Sequence, residues 1–240
     1  VVQEQQEYYS TGGDARVKTR LEQASGTRCL VVPFQELDMA VVRSVKPRAI
    51  VMSGFGRWFR QHKVEWFWGI DEVVHTAHVP MLCFCGSHQL LAFCYNLNLR
   101  QIPVLMDEPI RRLAPDEDLP RRAVVNPDVP DLANHFIADG FYPIFKIKDD
   151  PLFAGLASPM MMRCAHYCEV KRLPPGFEVL ARSGHSPIEA MRHTERPLYG
   201  VQFHPEAYEP PFTDGQTLLR NFASIVNEFW RHSAHKDETR

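Results

Sequence analysis

The feature that most constrains the fold of this chain is a series of short apolar runs separated by segments with helical periodicity. The first three runs span residues 29–34, 49–52 and 79–85. Segments 35–45 and 90–97 carry apolar side chains at the spacing of one helix face. Strands that alternate with helices build parallel sheets covered by helices on both faces. The sequence therefore predicts an α/β fold with a mostly parallel sheet.

The C-terminal half predicts further strands and one amphipathic helix. Turn signals separate five apolar segments, which are the predicted strands 142–148, 160–170, 177–182, 188–192 and 198–203. The helix is expected to begin near Asp214 and to end before a polar tail at 232–240. At the other end a short helix is expected around 15–24, and no apolar strand is apparent before residue 15. We interpret residues 1–240 as one domain.

Residues 107–134 differ in character from the rest of the chain. This segment contains five prolines and is dense in Arg, Asp and Glu. We predict a long surface excursion with little regular structure. Loops of this length are often lids or binding elements, and a solvated insertion without a role is the alternative.

Charge and hydropathy exclude two broad classes of function. Lys plus Arg total 27 and Asp plus Glu total 29, so the formal net charge is −2 and no bulk charge favours nucleic acid. The longest apolar stretches, such as 79–85, fall far short of the roughly 18 to 20 residues that a membrane span needs. We therefore expect neither a nucleic-acid nor a membrane partner.

The six cysteines favour a reducing compartment, because they are too few for a disulfide scaffold and several lie in apolar runs. Two groups could be metal ligands, namely Cys83 with Cys85 and Cys164 with His166 and Cys168, but neither has the two-residue spacing of zinc knuckles, so we expect no metal. Residues 1–6 show neither the charged start nor the apolar core of a signal peptide. We expect a cytoplasmic protein.

The segment 81–91 has the layout of a nucleophile elbow. An apolar strand runs directly into Cys85, Gly86 and Ser87, and a helical pattern follows. A thiol at this turn would lie at a helix N-terminus, where backbone N–H groups favour the thiolate. The alternative is that Cys85 is a small buried hydrophobic residue, as many free cysteines are.

The segment 199–206 supplies a candidate base. It is a predicted strand that ends in His204, with Glu206 two residues later on the same side of an extended chain. A carboxylate beside an imidazole fixes the ring tautomer, so that the other nitrogen can accept a thiol proton. With Cys85 these residues would form a Cys-His-Glu triad.

Together the two segments resemble the class I, or triad, glutamine amidotransferases. The family elbow Gly-x-Cys-x-Gly-x-Gln is similar to residues 83–89, and the family base motif Gly-Val-Gln-Phe-His-Pro-Glu is present unaltered at 200–206. Residues 49–54, 143–156 and others also resemble family segments, so the similarity covers most of the chain from 29 to 230. Within this class, the sequence resembles most the amidotransferase domain of GMP synthetase and its stand-alone relatives.

This resemblance implies a flavodoxin-like fold and a Cys85 nucleophile that attacks the side-chain amide of glutamine. His204 would transfer the proton to ammonia, Glu206 would orient His204, and a γ-glutamyl thioester would form. No cofactor is implied. The resemblance places oxyanion and substrate contacts at seven positions, namely Gly54, Phe55, Gly86, Gln89, Ala165, His166 and Tyr167. His166 could equally be a packed strand histidine, and His88 is expected to be a packing or helix-surface residue.

Several positions depart from the family pattern. Cys83 and Ser87 replace the two elbow glycines, and Phe55 stands where the oxyanion loop usually has glycine. If that position requires a positive φ, Phe55 is strained; otherwise the loop is shifted onto Gly56. The family's first, central strand is also missing before residue 15, so the true N-terminus is absent or that segment is rebuilt. The neighbouring segment 57–68 holds three of the four tryptophans. These side chains are expected either to pack in the core or to form a pocket wall or a surface for docking a partner.

Three functions remain open from the sequence. The first is a glutaminase subunit or domain that feeds ammonia to a synthase in trans. The second is a stand-alone γ-glutamyl hydrolase or peptidase with the same triad, and the third is a non-catalytic relative that binds a partner or metabolite. The complete set of Cys85, His204 and Glu206 favours an enzyme.

Overall fold

A computed structural model describes residues 2–3, 15–117 and 134–238 of the chain. The strands of these residues form one nine-stranded sheet in the order β2-β1-β3-β4-β9-β8-β7-β5-β6. Their bounds are β1 Val2–Gln3, β2 Val32–Pro33, β3 Ile50–Met52, β4 Met81–Phe84, β5 Ala138–Lys146, β6 Met160–His166, β7 Phe177–Arg182, β8 Ala190–His193 and β9 Leu198–Val201.

The sheet has a parallel half and an antiparallel half. The neighbouring strands β2, β1, β3, β4 and β9 pair in parallel. On the other side of β9, the strands β8, β7, β5 and β6 continue the sheet with antiparallel pairing. The parallel half requires crossover connections, whereas the C-terminal strands follow one another through short turns. The predicted α/β class with parallel central strands is confirmed, and the antiparallel extension is an added feature.

Helices cover both faces of the sheet, as the alternation of strands and helices predicts. Their bounds are α1 Ala15–Ser25, α2 Met39–Val45, α3 Trp68–Thr76, α4 Gly86–Asn96 and α5 Asp214–Glu238. Along β4, Met81 and Cys83 join the core beneath α2, α3 and α4, while Leu82 and Phe84 join the core beneath α1 and α5. Successive strand side chains point to opposite faces, so this one strand anchors both cores. In the described part of the chain, no helix combines the length and apolar character needed to cross a membrane.

The N-terminal expectation is corrected by the structure. Val2–Gln3 forms β1, which pairs in parallel with both β2 and β3. Hydrophobic patterning does not reveal this strand, because it is only two residues long and polar residues follow it. Residues 4–14 lie outside the described residues.

The predicted polar tail at 232–240 is helical in its described part. Helix α5 continues to Glu238, and only residues 239–240 lie outside the described part. Neither proline nor glycine follows Trp230, and residues such as Ala234 and Lys236 are good helix formers, so the sequence contains no stop signal there.

The predicted surface excursion is described only at its flanks. Residues 118–133 lie outside the described residues. The described flank carries isolated bridges, which join Pro109 to Cys168 and Arg112 to His135, instead of strands. This flank therefore matches the expectation of little regular structure, and it is attached to the body of the protein.

Candidate active site

Cys85 lies at a sharp turn between β4 and α4. It is the N-cap residue of α4 with φ of 48° and ψ of −112°, a backbone conformation that non-glycine residues seldom adopt. Its amide donates to the Val201 carbonyl at 2.8 Å, and its own carbonyl accepts from the Gln89 amide at 3.1 Å. The turn is therefore held on both sides, and it projects the thiol at the carboxyl edge of the sheet. This is the geometry of a nucleophile elbow.

Sheet register brings His204 to this thiol. Strands β4 and β9 are parallel neighbours, and Phe84 pairs with Val201, so the residues that follow both strands emerge at the same edge. The His204 amide donates to the Arg163 carbonyl at 2.8 Å, which fixes the chain after β9. The His204 ring and the Cys85 thiol both face Gly54, since a Cβ built there would lie 3.2 Å from His204 Cε1 and 3.7 Å from Cys85 Sγ.

Glu206 orients the imidazole. His204 Nδ1 donates to Glu206 Oε1 at 2.8 Å, because a carboxylate only accepts, and the second ring nitrogen is left for the thiol. Glu206 is 3% exposed, in a short 3-10 turn that Pro205 opens. Burial lowers the pKa of His204, but the charges of Glu206 and Cys85 and hydrogen bonds to both outweigh it, and the net pKa is raised well above its usual value. The pair is arranged to stabilise an imidazolium beside sulfur.

The loop after β3 packs against the elbow. A Cβ placed on Gly54 would lie 3.2 Å from His204 Cε1 and 3.3 Å from Cys85 Cβ. A Cβ placed on Gly86 would lie only 2.8 Å from the Phe55 nitrogen. Only a glycine at Gly86 lets the two segments approach this closely. The Phe55 nitrogen therefore lies close to Gly86, the residue that follows Cys85.

Phe55 is not strained. Among the described residues, the non-glycine positions with positive φ are Lys46 and Cys85, so Phe55 adopts an ordinary backbone. Its ring packs at 5.1 Å from Phe34 and 5.3 Å from Phe59. The departure from glycine at this position therefore adds packing that fixes the loop, and the strained alternative is excluded.

The two altered elbow positions are accommodated differently. Cys83 is fully buried in β4, between Met52 on one neighbouring strand and Gly200 on the other. Ser87 lies 3% exposed, and its hydroxyl donates to the Ser53 carbonyl in a short hydrogen bond. The serine side chain therefore ties the elbow helix to the loop that precedes Gly54.

A cavity opens in front of the thiol. Cys85 and Gly86 lie on one side of it, and six of the seven predicted contact positions line it, Gly54 being the exception. Gln89 is 5% exposed, and its Nε2 donates to the Cys168 carbonyl at 3.0 Å and to Gln202 Oε1 at 3.1 Å. His166 is 3% exposed and ends β6. Substrate contact by these residues remains a prediction, since their placement alone does not test it.

His88 is a packing residue, as predicted. Its side chain is completely buried on α4, and Nε2 donates to the Ile188 carbonyl at 3.0 Å. The carbonyl can only accept, so Nε2 carries the proton. Burial lowers the pKa of His88 to about 4, which makes the ring neutral at pH 7.

Sequence reasoning missed part of the cavity wall. Asp107, at the start of the predicted excursion, lines the cavity and accepts from the Phe59 amide at 2.9 Å. Burial raises the pKa of Asp107. The Trp58 ring packs at a tilt against Tyr167, which lines the cavity, with ring centroids 4.5 Å apart, and the Arg60 guanidinium lies 4.6 Å from the Trp58 ring. Trp58 therefore supports the cavity wall through Tyr167, whereas the other two clustered tryptophans, Trp66 and Trp68, pack against the core.

The signals for this wall in the sequence are weak. The concentration of tryptophans at 57–68 indicated either core or wall, and the density of proline and charge at 107–134 indicated a functional loop only in general terms. Neither pattern selects Asp107, because its role depends on amides that are distant in the sequence.

Comparison with known proteins decides the family. The family model described as glutamine amidotransferase class-I matches residues 16–226, most of the chain. This chain belongs to the class-I glutamine amidotransferase family. The resemblance that the elbow and base motifs predict is confirmed, and with it a function of the glutamine amidotransferase type.

Curated relatives of this class-I amidotransferase are GMP synthase (glutamine-hydrolyzing) A subunits. That of Pyrococcus furiosus is 48% identical over 203 residues, which cover 85% of this chain and 88% of the relative. That of Methanobrevibacter smithii is 43% identical over 192 residues, with 80% of each chain covered. The match to the Pyrococcus abyssi protein is shorter, at 49% over 82 residues, and spans 43% of that relative.

A solved structure confirms the fold of this amidotransferase. A Thermoplasma acidophilum protein assigned to the GMP synthase A subunits superposes with a TM-score of 0.67 and covers 92% of this chain and 91% of that one. The two sequences are 19% identical, so this likeness concerns the fold alone.

Proposed function

We propose that this chain hydrolyses the side-chain amide of glutamine through a Cys85, His204 and Glu206 triad and delivers the ammonia to a synthase partner in trans. One observation supports this proposal: an elbow thiol, an imidazole bonded to a carboxylate and two backbone amides lie together at one edge of the sheet. The partner class is suggested by relatives that are A subunits of GMP synthase and align over most of their length.

The mechanism follows from these positions. Cys85 gives its thiol proton to His204, which becomes the imidazolium, and Cys85 Sγ attacks the side-chain carbonyl carbon of glutamine while the developing oxyanion accepts hydrogen bonds from the Phe55 and Gly86 amides. The imidazolium of His204 gives its proton to the departing nitrogen, so ammonia leaves and a γ-glutamyl thioester remains. His204 then takes a proton from water, which attacks the thioester and releases glutamate and the Cys85 thiol. Glu206 holds the ring in the required tautomer throughout.

The choice of Cys85 as the nucleophile is supported by its environment. Cys164 also lies near imidazoles, but it is completely buried, and burial raises the pKa of its thiol far above the usual value. Such a thiol stays protonated and has no access to substrate. Cys85 borders the cavity and has the base beside it.

The test is glutamate release from glutamine and from a panel of γ-glutamyl peptides, with Cys85→Ala compared with Cys29→Ser. Cys29 is a partly buried cysteine outside the site, so its substitution controls for loss of a thiol as such. We expect Cys85→Ala to lose several orders of magnitude of turnover and Cys29→Ser to retain it.

Covalent labelling separates the alternatives if the isolated chain turns over slowly. An electrophilic glutamine analogue that labels Cys85 would indicate a competent site that awaits its synthase partner. Preference for a γ-glutamyl peptide would favour the stand-alone hydrolase. A folded protein that is neither active nor labelled would refute the proposal and favour a binding protein.

A further inference from the structure

Behind the active-site wall lies a second cluster of chemically active side chains. Cys164, His166 and His185 each offer one donor atom, and these atoms all lie within 4.8 Å of one another. Glu189 adjoins them, with Oε1 3.2 Å from His185 Nε2. None of the four has a part in the proposed hydrolysis beyond the cavity-lining position of His166.

The fold assembles this cluster from two segments. Cys164 and His166 are alternate residues of β6, and both point to its buried face. His185 lies in the turn between β7 and β8, and Glu189 directly precedes β8. The Glu189 amide donates to the Ala181 carbonyl at 2.9 Å, which fixes the second segment against β7.

The hydrogen bonding of His166 leaves one ring nitrogen with an unused lone pair. Its Nδ1 lies 2.9 Å from the Cys168 carbonyl, and since a carbonyl only accepts, Nδ1 carries the proton. In the neutral ring Nε2 is then an acceptor, and it is buried with no hydrogen-bond partner among the described residues. Metal-bound histidines are commonly held in this way, by a backbone carbonyl on the nitrogen that is not bound to the metal.

The other members are also incompletely satisfied. Glu189 is completely buried, and neither of its carboxylate oxygens forms a hydrogen bond of normal geometry. The Cys164 thiol has only a 3.9 Å contact with the Met162 carbonyl. Buried polar groups in folded proteins nearly always have partners, so poorly satisfied groups that face one another call for an explanation.

We propose that Cys164, His166 and His185 bind a zinc-type divalent ion, with Glu189 as the carboxylate that holds His185 and balances charge. Sulfur with imidazole nitrogens is a donor set that zinc prefers. Binding of the ion would displace the Cys164 thiol proton to solvent, and the resulting thiolate and the Glu189 carboxylate together carry two negative charges that a divalent ion balances. The ion would brace the end of β6, which borders the active-site cavity, against the β7–β8 turn.

This inference replaces the expectation of no metal for one set of residues. That expectation considered groups of residues that are close in the sequence, Cys164 and His166 among them, but not His185. The cluster instead combines a cysteine and a histidine of β6 with a histidine from a turn that is distant in the sequence. A search for closely spaced ligands therefore does not find it.

The test uses the full chain, purified with a tag that contains no histidine. Zinc content is measured after dialysis, and the metal-free protein is then titrated with Zn²⁺ and with Co²⁺. We expect one zinc per chain and, in the cobalt form, a near-ultraviolet thiolate-to-cobalt charge-transfer band. Cys164→Ser should abolish the band, and Glu189→Gln should weaken zinc binding by about 10- to 100-fold, as loss of an outer-shell partner does.

Two controls locate the ion. Cys85→Ala should keep both zinc and the cobalt band, because the proposed site does not include the nucleophile, and Cys29→Ser should keep them as well. If Cys164→Ser fails to fold, His185→Asn, which alters the least buried member, takes its place and should lose the zinc. Absence of stoichiometric metal in the native chain, or a band that Cys85→Ala removes, would overturn the proposal and leave the cluster as a buried histidine–glutamate pair.

Discussion

The contact between Gly86 and Phe55 gives the sharpest prediction for the proposed chemistry. In Gly86→Ala the added methyl would lie 2.8 Å from the Phe55 nitrogen and 3.0 Å from Phe55 Cβ. Real Cβ atoms do not approach other atoms so closely, so the Phe55 backbone must move. Its ring is packed 5.3 Å from Phe59 and 5.9 Å from Phe67, which resists a compensating shift of the whole loop.

The expected loss follows from the role of that amide. Displacing the Phe55 N–H would remove one of the two proposed oxyanion donors, and loss of one such donor lowers kcat by about 100- to 1000-fold, equivalent to about 2.7 to 4 kcal/mol. Overpacking also lowers the free energy of unfolding by about 1 to 3 kcal/mol. Activity should therefore fall far more than stability, and KM for glutamine should change little.

Two assays distinguish a lost oxyanion hole from a damaged nucleophile. Steady-state glutamate release reports kcat, and alkylation of Cys85 by iodoacetamide reports the thiol without needing the oxyanion donors. We expect Gly86→Ala to lose turnover while its alkylation rate stays within a few-fold of native.

Gly184→Ala is the matched control, because a Cβ there meets no atom within 4 Å. It should be native in both assays. If Gly86→Ala keeps kcat within about threefold of native, the assignment of the Phe55 amide to the oxyanion site is wrong.

Three further predictions concern the triad, the elbow and a buried histidine. Glu206→Gln removes the charge that raises the pKa of His204, so turnover should fall by about 100- to 10,000-fold. The alkaline limb of the pH–rate profile should move to lower pH, and an unmoved limb would contradict the pairing of Glu206 with His204. Ser87→Ala removes the hydrogen bond that the Ser87 hydroxyl donates to the Ser53 carbonyl, so the free energy of unfolding in urea should fall by about 0.5 to 1.5 kcal/mol, whereas loss of the exposed Ser224 hydroxyl should change it little. Burial holds the pKa of His88 at about 4, against 6.5 in the unfolded chain, so the unfolded chain binds more protons between these two values. The free energy of unfolding should therefore decrease as the pH is lowered through that range. His88→Gln should reduce this slope by up to about 1.4 kcal/mol per pH unit, and an equal slope in both proteins would refute the prediction.

The functional motifs could be found from the sequence because each is local. A nucleophile elbow needs a strand, a small-residue turn and a helix in immediate succession, and residues 81–91 supply all three. The imidazole and its carboxylate are two residues apart, so their 2.8 Å contact is also a short-range property. Patterning of apolar runs likewise placed β3, β4, β7 and α4, since burial on both faces leaves a continuous hydrophobic signature.

Tertiary structure decided what depends on residues far apart in the chain. Strand β1 is too short to leave a pattern and is defined by its pairing with two other strands. Phe55 is unstrained because its backbone φ is not positive, and the identity of a residue does not specify its φ. The neighbouring ring of Phe34, which packs against Phe55, comes from a distant part of the chain. Asp107 became part of the cavity wall only because distant amides bind its carboxylate.

The sequence by itself determined the family, the α/β class and the residues of the proposed triad, because covalent neighbours and hydrophobic periodicity encode them directly. The parallel pairing of β4 with β9 then brought Cys85 and His204 to one sheet edge, and the β7–β8 turn brought His185 to Cys164. Such meetings depend on register and on the packing of whole elements. They are properties of the folded chain, and no short stretch of sequence contains them.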